Sequence, residues 1–145
     1  AKAMAMAGLR FGYMLTHPNI AHEVKKSKLP YNVNIFTLAA AEIAADRPEF
    51  FQNAIETLIT ERGRLAKEFE SRSQIEAFPS KANFILIRTT YPSNQLFDAL
   101  YKDGILVRDV SHYPMLDRTL RVSVGTADEN TRLLAALDRA LETLQ

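Results

Sequence analysis

The chain has 145 residues, of which 47% are hydrophobic and 24% are charged, and its 18 Lys+Arg and 17 Asp+Glu leave a net charge of +1. This balance is typical of a soluble globular protein with one domain, or one domain and part of another, and it argues against a nucleic-acid partner. The lack of cysteine excludes a disulfide framework and Cys-ligated zinc, and no apolar run has the length of a membrane span. We therefore expect a cytoplasmic protein that binds neither nucleic acid nor membrane.

The N-terminal part is expected to consist of short elements separated by proline. The sequence does not begin with Met, and its patterning starts at the second residue, so we expect a chain cut from something longer. A loop should lead into a short buried strand around residues 9–15, and a short helix should span residues 20–28. Asn34 is expected to cap the next helix, which continues to about Ala45.

A long amphipathic helix is expected to follow. Asp46 is predicted to be its N-cap, with Pro48 in the first turn and Glu49 at the third helical position. The apolar residues after this point recur at steps of three and four, which predicts a continuous apolar stripe. They are Phe51, Ala54, Ile55, Leu58, Ile59, Leu65, Ala66 and Phe69.

The part from residue 72 onward predicts a small sheet with helices on one face, in the order β-β-α-β-β-α. Ser93 is expected to cap the first of its helices, and Gly104 to end it. Thr126 and Glu129 form a capping box at the start of the last helix. Strands are predicted at residues 75–78, 83–87, 105–107 and 120–124.

Two basic residues near the N-terminus are candidates for chemistry. Lys2 lies among small apolar residues, where desolvation would free its amine to form a Schiff base, although a solvated terminal lysine is the simpler interpretation. Arg10 lies between Gly8 and Gly12, an arrangement that suits a phosphate or carboxylate. Neither signal is specific by itself.

Two more arginines lie in or beside predicted strands. Alternation along residues 120–124 directs Arg121 away from the core. Arg121 and Arg108 either converge on an anionic substrate or form structural salt bridges with acids such as Asp109 or Asp117. The histidines lack the spacing of metal ligands, so we predict no metal site; they are His17, His22 and His112.

Taken together, these segments resemble fold-type-I pyridoxal-phosphate-dependent aminotransferases, in the order found in the histidinol-phosphate aminotransferase branch. The resemblance covers essentially the whole chain but only the C-terminal part of the family's length. It implies an α/β fold comprising the end of the large cofactor domain, interdomain helices, and a small α+β domain with a mostly antiparallel sheet. The corresponding ranges are 1–33, 34–71 and 72–145. The segments that carry the resemblance are residues 1–3, 7–13, 29–34, 81–84, 104–108 and 120–126.

The resemblance also implies roles for five residues. Lys2 matches the lysine that binds pyridoxal phosphate covalently and then shuttles the substrate's proton, and Arg10 matches the arginine that holds the cofactor phosphate. Arg121 matches the residue that receives the substrate's anionic group, with Arg108 as a helper. Asn83 matches a position near the substrate mouth.

The implied reaction transfers an amino group between histidinol phosphate (or imidazole-acetol phosphate) and glutamate or 2-oxoglutarate in histidine biosynthesis, in a cytoplasmic homodimer. The family's other cofactor contacts would lie before residue 1, so this chain alone should be an inactive fragment that binds pyridoxal phosphate weakly. Two alternatives stay open. One is a related pyridoxal-phosphate enzyme, either a phospho-amino-acid decarboxylase or an aromatic aminotransferase; the other is a non-catalytic α+β association module.

Overall fold

The computed structural model describes Met4 and residues 6–144. The chain forms two compact units, Ala1–Asn53 and Ala54–Gln145. The three expected domain ranges, with boundaries after residues 33 and 71, stay a prediction.

The first unit contains a short 3₁₀ turn and helices. The turn spans Ala7–Leu9, helix α1 spans Pro18–Lys26, helix α2 spans Ile35–Asp46, and helix α3, Glu49–Glu70, begins here and continues into the second unit. The predicted cap of α2 is confirmed, because the Asn34 side-chain oxygen accepts a hydrogen bond from the Thr37 backbone N–H at 2.9 Å.

Two predictions for this unit are wrong. Residues 11–17 are irregular rather than a buried strand, and the side chains of Tyr13 and Leu15 are 75% and 88% exposed. A strand requires a partner that pairs with its backbone, and no described residue pairs with this segment. Asp46 ends α2 instead of capping α3, since the next N–H, that of Arg47, still donates to the Ile43 carbonyl at 3.0 Å.

The second unit contains a four-stranded antiparallel sheet in the order β1-β2-β4-β3. Helix α4, Ser93–Lys102, lies between β2 and β3 in the chain, and α5, Ala127–Thr143, follows β4. The predicted β-β-α-β-β-α order is confirmed. The strands are β1 Ile75–Ala77, β2 Phe84–Thr89, β3 Arg108–Asp109 and β4 Thr119–Ser123.

The boundaries of α4 and β3 differ from the predictions. Pro92 occupies the N-cap position, and the Ser93 hydroxyl donates to Asp109 Oδ2 at 3.1 Å instead of capping the helix. The third strand starts at Arg108 rather than at residue 105, because the Ile105 N–H still donates to the Leu100 carbonyl at the end of α4 at 2.9 Å.

The core of this unit lies between one face of the sheet and helices α3, α4 and α5. Burial alternates along β2 and, from Leu120 onward, along β4, as period-two patterning requires. The capping box at the start of α5 is confirmed, with both the Thr126 and Glu129 hydrogen bonds present. The fully buried core side chains include Leu65, Phe69, Ile85, Ile87, Leu96, Leu100, Leu120 and Leu137.

Candidate functional site

The open face of the sheet carries Arg121 and Arg108. Arg121 on β4 is paired in register with Arg108 on β3, so both side chains project from the same face. Leu120 and Val122, on either side of Arg121, are buried in the core. Arg121 is half-buried and Arg108 is exposed, on the face that the helices leave uncovered. The alternation predicted for β4 is therefore confirmed.

Among residues 6–144, no carboxylate neutralises these two arginines. Asp109 accepts hydrogen bonds from a serine hydroxyl at 3.1 Å and a backbone N–H at 2.8 Å, and Asp117 lies 3.3 Å from Arg118. In the part of the chain that the structure describes, neither Arg108 nor Arg121 forms a hydrogen bond or an ion pair. Like charges directly opposite each other on neighbouring strands are destabilising. A bound anion would remove that repulsion.

Aromatic contacts distinguish Arg121 from a nearby arginine that has a structural role. The Arg121 guanidinium lies 5.4 Å from the centre of the Phe84 ring, which restrains it without using its N–H donors. Arg88 on the same face also lies over a ring, that of Phe78 at 4.9 Å, but it is bound to Glu76 at 3.0 Å. Of these two, Arg121 keeps its donors available to a ligand.

Asn83 lies where β2 begins. Its side-chain oxygen is buried and accepts no hydrogen bond from any residue between 6 and 144. Its backbone carbonyl accepts from the Val124 N–H at 3.0 Å, just beyond the end of β4. Buried polar atoms are nearly always paired in folded proteins. The Asn83 side chain can therefore accept a hydrogen bond from a ligand or a water molecule.

A buried polar network joins α3 to α5, and the sequence patterns described above do not predict it. Glu61 on α3 is 7% exposed and accepts from Arg64 Nη2 at 2.7 Å and from Asn130 Nδ2 at 2.8 Å. These hydrogen bonds, from Arg64 first and then from Asn130, lower the pKa of the Glu61 carboxyl below its ordinary value of 4.5. The carboxylate is thus charged, buried and fully engaged.

Helical spacing contains the signal that could have identified this pair. Asn130 precedes Leu133, Leu134 and Leu137 by three, four and seven residues, so it lies on the buried stripe of α5. Glu61 precedes the buried Leu65 on α3 by four residues in the same way. A polar residue at an apolar position of an amphipathic helix predicts a buried hydrogen-bonded partner.

Arg10 borders a separate pocket of about 380 Å³ in the first unit. Its backbone has a φ of 53°, the left-handed region that costs energy for a residue with a Cβ and is often found at ligand sites. The residue with a positive φ in this segment is thus Arg10 itself, and not Gly8 or Gly12. The side chain makes one long hydrogen bond, from Nη1 to the Ala7 carbonyl at 3.5 Å, and pairs with no carboxylate in the described chain. The other lining residues are Gly8, Leu9, Asn32, Val33, Asn34, Phe36 and Thr37.

Lys2 lies outside the residues that the structure describes. Among those it does describe, no group of three His, Asp or Glu side chains could hold a metal ion. Within the same residues, no helix is both long and apolar enough to cross a membrane.

Comparison with known proteins decides the family. The model of the family "Aminotransferase class I and II" matches residues 1–137. The chain belongs to this family. This chain is 37% identical to the histidinol-phosphate aminotransferase of Aquifex aeolicus over 142 residues. The aligned region covers 97% of this chain and 40% of that protein. The chain therefore spans about two fifths of the length of the curated relatives that it matches.

Solved aminotransferase structures confirm the fold. The crystal structure of the histidinol-phosphate aminotransferase from Clostridium acetobutylicum superposes with a TM-score of 0.84 at 29% identity, covering 98% of this chain and 44% of that one. The enzyme from Sinorhizobium meliloti, solved in complex with pyridoxal-5'-phosphate, gives a TM-score of 0.79 at 25% identity, covering 99% of this chain and 39% of that one. The expected fold, the C-terminal portion of a fold-type-I enzyme, is confirmed.

Proposed function

We propose that this chain is the C-terminal portion of a pyridoxal-phosphate-dependent histidinol-phosphate aminotransferase, which exchanges an amino group between histidinol phosphate and 2-oxoglutarate in histidine biosynthesis. The complete enzyme would be a cytoplasmic homodimer. The chain alone would be inactive, since it spans about two fifths of the relatives' length. The names of those relatives and the cationic pair on the open sheet face support the proposal.

The observation that carries the substrate assignment is the pairing of Arg108 with Arg121. Two guanidinium groups in direct register, with no acid bound to either in the described chain, match a dianionic group better than a single carboxylate. A phosphate monoester carries up to two negative charges near neutral pH. Arg121 would bind the substrate phosphate, with Arg108 assisting and the Asn83 side-chain oxygen accepting a donor of the substrate.

The residues of the first unit fit a cofactor phosphate. Arg10 borders a pocket, its guanidinium has no acidic partner among the described residues, and its φ of 53° lies in the region often found at ligand sites. When bound, pyridoxal phosphate supplies an electron sink for the substrate's carbanion. Lys2 would hold the cofactor through its ε-amine and, once released, move a proton at the substrate's α carbon. Ala1 offers no hydroxyl to the phosphate, which leaves more of that contact to Arg10.

Covalent labelling tests the cofactor assignment. The complete enzyme is incubated with pyridoxal phosphate, reduced with borohydride and digested, and the peptide that carries the pyridoxyl group is sequenced. We expect the label on Lys2. A label on another lysine such as Lys81 would contradict the assignment. A tight stoichiometric complex of the isolated chain that survives dialysis would contradict its weak binding of the cofactor.

Substitution of Arg121 tests the substrate assignment. In the complete enzyme, Arg121→Lys should weaken use of histidinol phosphate by about 1.5–3 kcal/mol, the range for a hydrogen bond to a charged group, because lysine lacks the planar fork. Arg10→Lys is the matched control and should instead loosen the cofactor. Unchanged substrate kinetics together with a lower melting temperature in Arg121→Lys would favour a structural role.

A further inference from the structure

Two successive residues of α3 reach two turns at the same end of the sheet. Arg62 Nη1 donates to the Ala82 carbonyl at 3.0 Å, in the turn that leads into β2. The same turn is held by the Ser80 hydroxyl, which accepts from the Ala82 N–H at 3.1 Å and donates to the Phe84 carbonyl at 2.6 Å. Arg62 therefore fixes the backbone immediately before Asn83.

Glu61 reaches the turn that follows β4 through Asn130. The Asn130 amide donates to Glu61 Oε2 at 2.8 Å and to the Gly125 carbonyl at 3.0 Å, and its oxygen accepts from the Gly125 N–H at 3.0 Å. Asn130 is 1% exposed, and these three hydrogen bonds hold its amide in one orientation. Arg64 completes the arrangement by binding both Glu61 and the Ala127 carbonyl, the latter at 3.0 Å.

The two turns are joined to each other. The Val124 N–H donates to the Asn83 carbonyl at 3.0 Å, and Phe84 is paired in register with Ser123. Arg121 lies two residues before Ser123 on β4. The α3 contacts are thus directed at the end of the sheet where Asn83 and Arg121 lie.

We propose that Glu61 and Arg62 are positioning residues for the substrate-binding groups Asn83 and Arg121. This inference rests on the proposed function, because it takes the open sheet face as the substrate site. A receptor for an anion binds well when its donors are held in place before the ligand arrives. Glu61 and Arg62 touch neither group directly and act through the two turns.

A matched control distinguishes positioning from general stability. Arg72 lies two residues beyond the end of α3; it donates to the Glu68 carbonyl of that helix and to Asp138 of α5, the latter by hydrogen bonds of 2.7 and 3.0 Å, but neither Arg72 nor Asp138 contacts the turns beside Asn83 and Gly125. Asp138→Asn therefore weakens the packing of the same two helices at a site that should not affect the anion. Glu61→Gln keeps the size of the side chain and removes the charge that Arg64 and Asn130 bind.

The test is titration with inorganic phosphate followed by NMR at the Arg121 Nε–H, with hydrogen exchange measured at the Val124 and Gly125 amides. We expect Glu61→Gln to speed exchange at both amides and to weaken phosphate binding at Arg121 by about three- to tenfold, as for coupled residues in one network. Asp138→Asn should change neither. The effect of phosphate on the NMR signal of Arg10 should be the same in the unaltered protein and in both variants. Equal losses in Glu61→Gln and Asp138→Asn would overturn the positioning role.

A second pair of variants keeps the test decisive if Glu61→Gln folds poorly. Arg62→Met removes the donor to the Ala82 carbonyl and should weaken phosphate binding at Arg121, whereas Arg62→Lys can still donate and should restore it. Failure of Arg62→Met to change binding would overturn the proposal. If phosphate does not perturb the Arg121 signal in the unaltered protein, the proposed substrate site itself is wrong. If phosphate binds equally in the unaltered protein and in all variants, only the positioning role is wrong.

Discussion

Replacing Arg108 with methionine should make the sheet more stable. Arg108 is exposed and lies directly opposite Arg121, with no acid bound to either within residues 6–144. A cross-strand pair of like charge costs about 0.2–1 kcal/mol. We therefore expect Arg108→Met to raise the free energy of unfolding by an amount in that range. A structural arginine would give the opposite sign, because its removal would leave an acid unpaired.

Urea unfolding at two salt concentrations measures this difference. Because exposed charges are screened by salt, the gain in Arg108→Met should shrink between 0.05 and about 1 M NaCl, where the Debye length falls to about 3 Å. In the presence of phosphate, the unaltered protein should become more stable to urea than Arg108→Met. At ten times its dissociation constant a ligand adds about 1.4 kcal/mol to the stability of the state that binds it, and Arg108→Met should gain less at the same phosphate concentration. A loss of 1 kcal/mol or more in Arg108→Met without phosphate would refute the reasoning.

Three further outcomes are expected. Leu137→Ala, at a fully buried position of α5, should cost about 2–5 kcal/mol in urea unfolding, and a cost below about 1 kcal/mol would contradict the packing described. Thr126→Ala should cost about 1 kcal/mol by removing the cap of α5, whereas Thr143→Ala, near the end of the same helix, should cost less. The pKa of Glu61 is lower in the folded protein than in the unfolded chain. The ionised carboxylate therefore contributes its full stabilisation of the fold above the unfolded pKa, and this stabilisation disappears as pH falls through the folded pKa. The stability difference between the unaltered protein and Glu61→Gln should therefore shrink on acidification, and a difference that is constant from pH 7 to pH 3 would contradict this.

Local patterns in the sequence correctly predict features that depend only on residues within a single helix or strand. The Asn34 cap and the Thr126 capping box each depend on residues within three positions of the helix start, and both are present. The alternation of β4 depends on period two alone, and it correctly directed Arg121 to the open face. Changes of hydrophobic period also predicted the β-β-α-β-β-α order of the second unit, whereas the fold type came from the family resemblance.

The failures concern contacts between distant residues. Serine favours the N-cap position, which predicts Ser93 as a cap, but its hydroxyl binds Asp109, sixteen residues away. The apolar run around Leu15 predicts a strand by composition, although no described segment pairs with its backbone. Glu61 and Asn130 are 69 residues apart, and a binary pattern of polar and apolar positions does not reveal that they form one buried pair.

The edge strands of the sheet have a consequence for self-association. The outermost strands, β1 and β3, are three and two residues long, so each presents few unpaired backbone groups to another chain. Arg108 places a charge on the shorter of them, a feature that discourages edge-to-edge pairing. A sheet face can therefore stay open to a small anion while the sheet offers little template for the growth of aggregates.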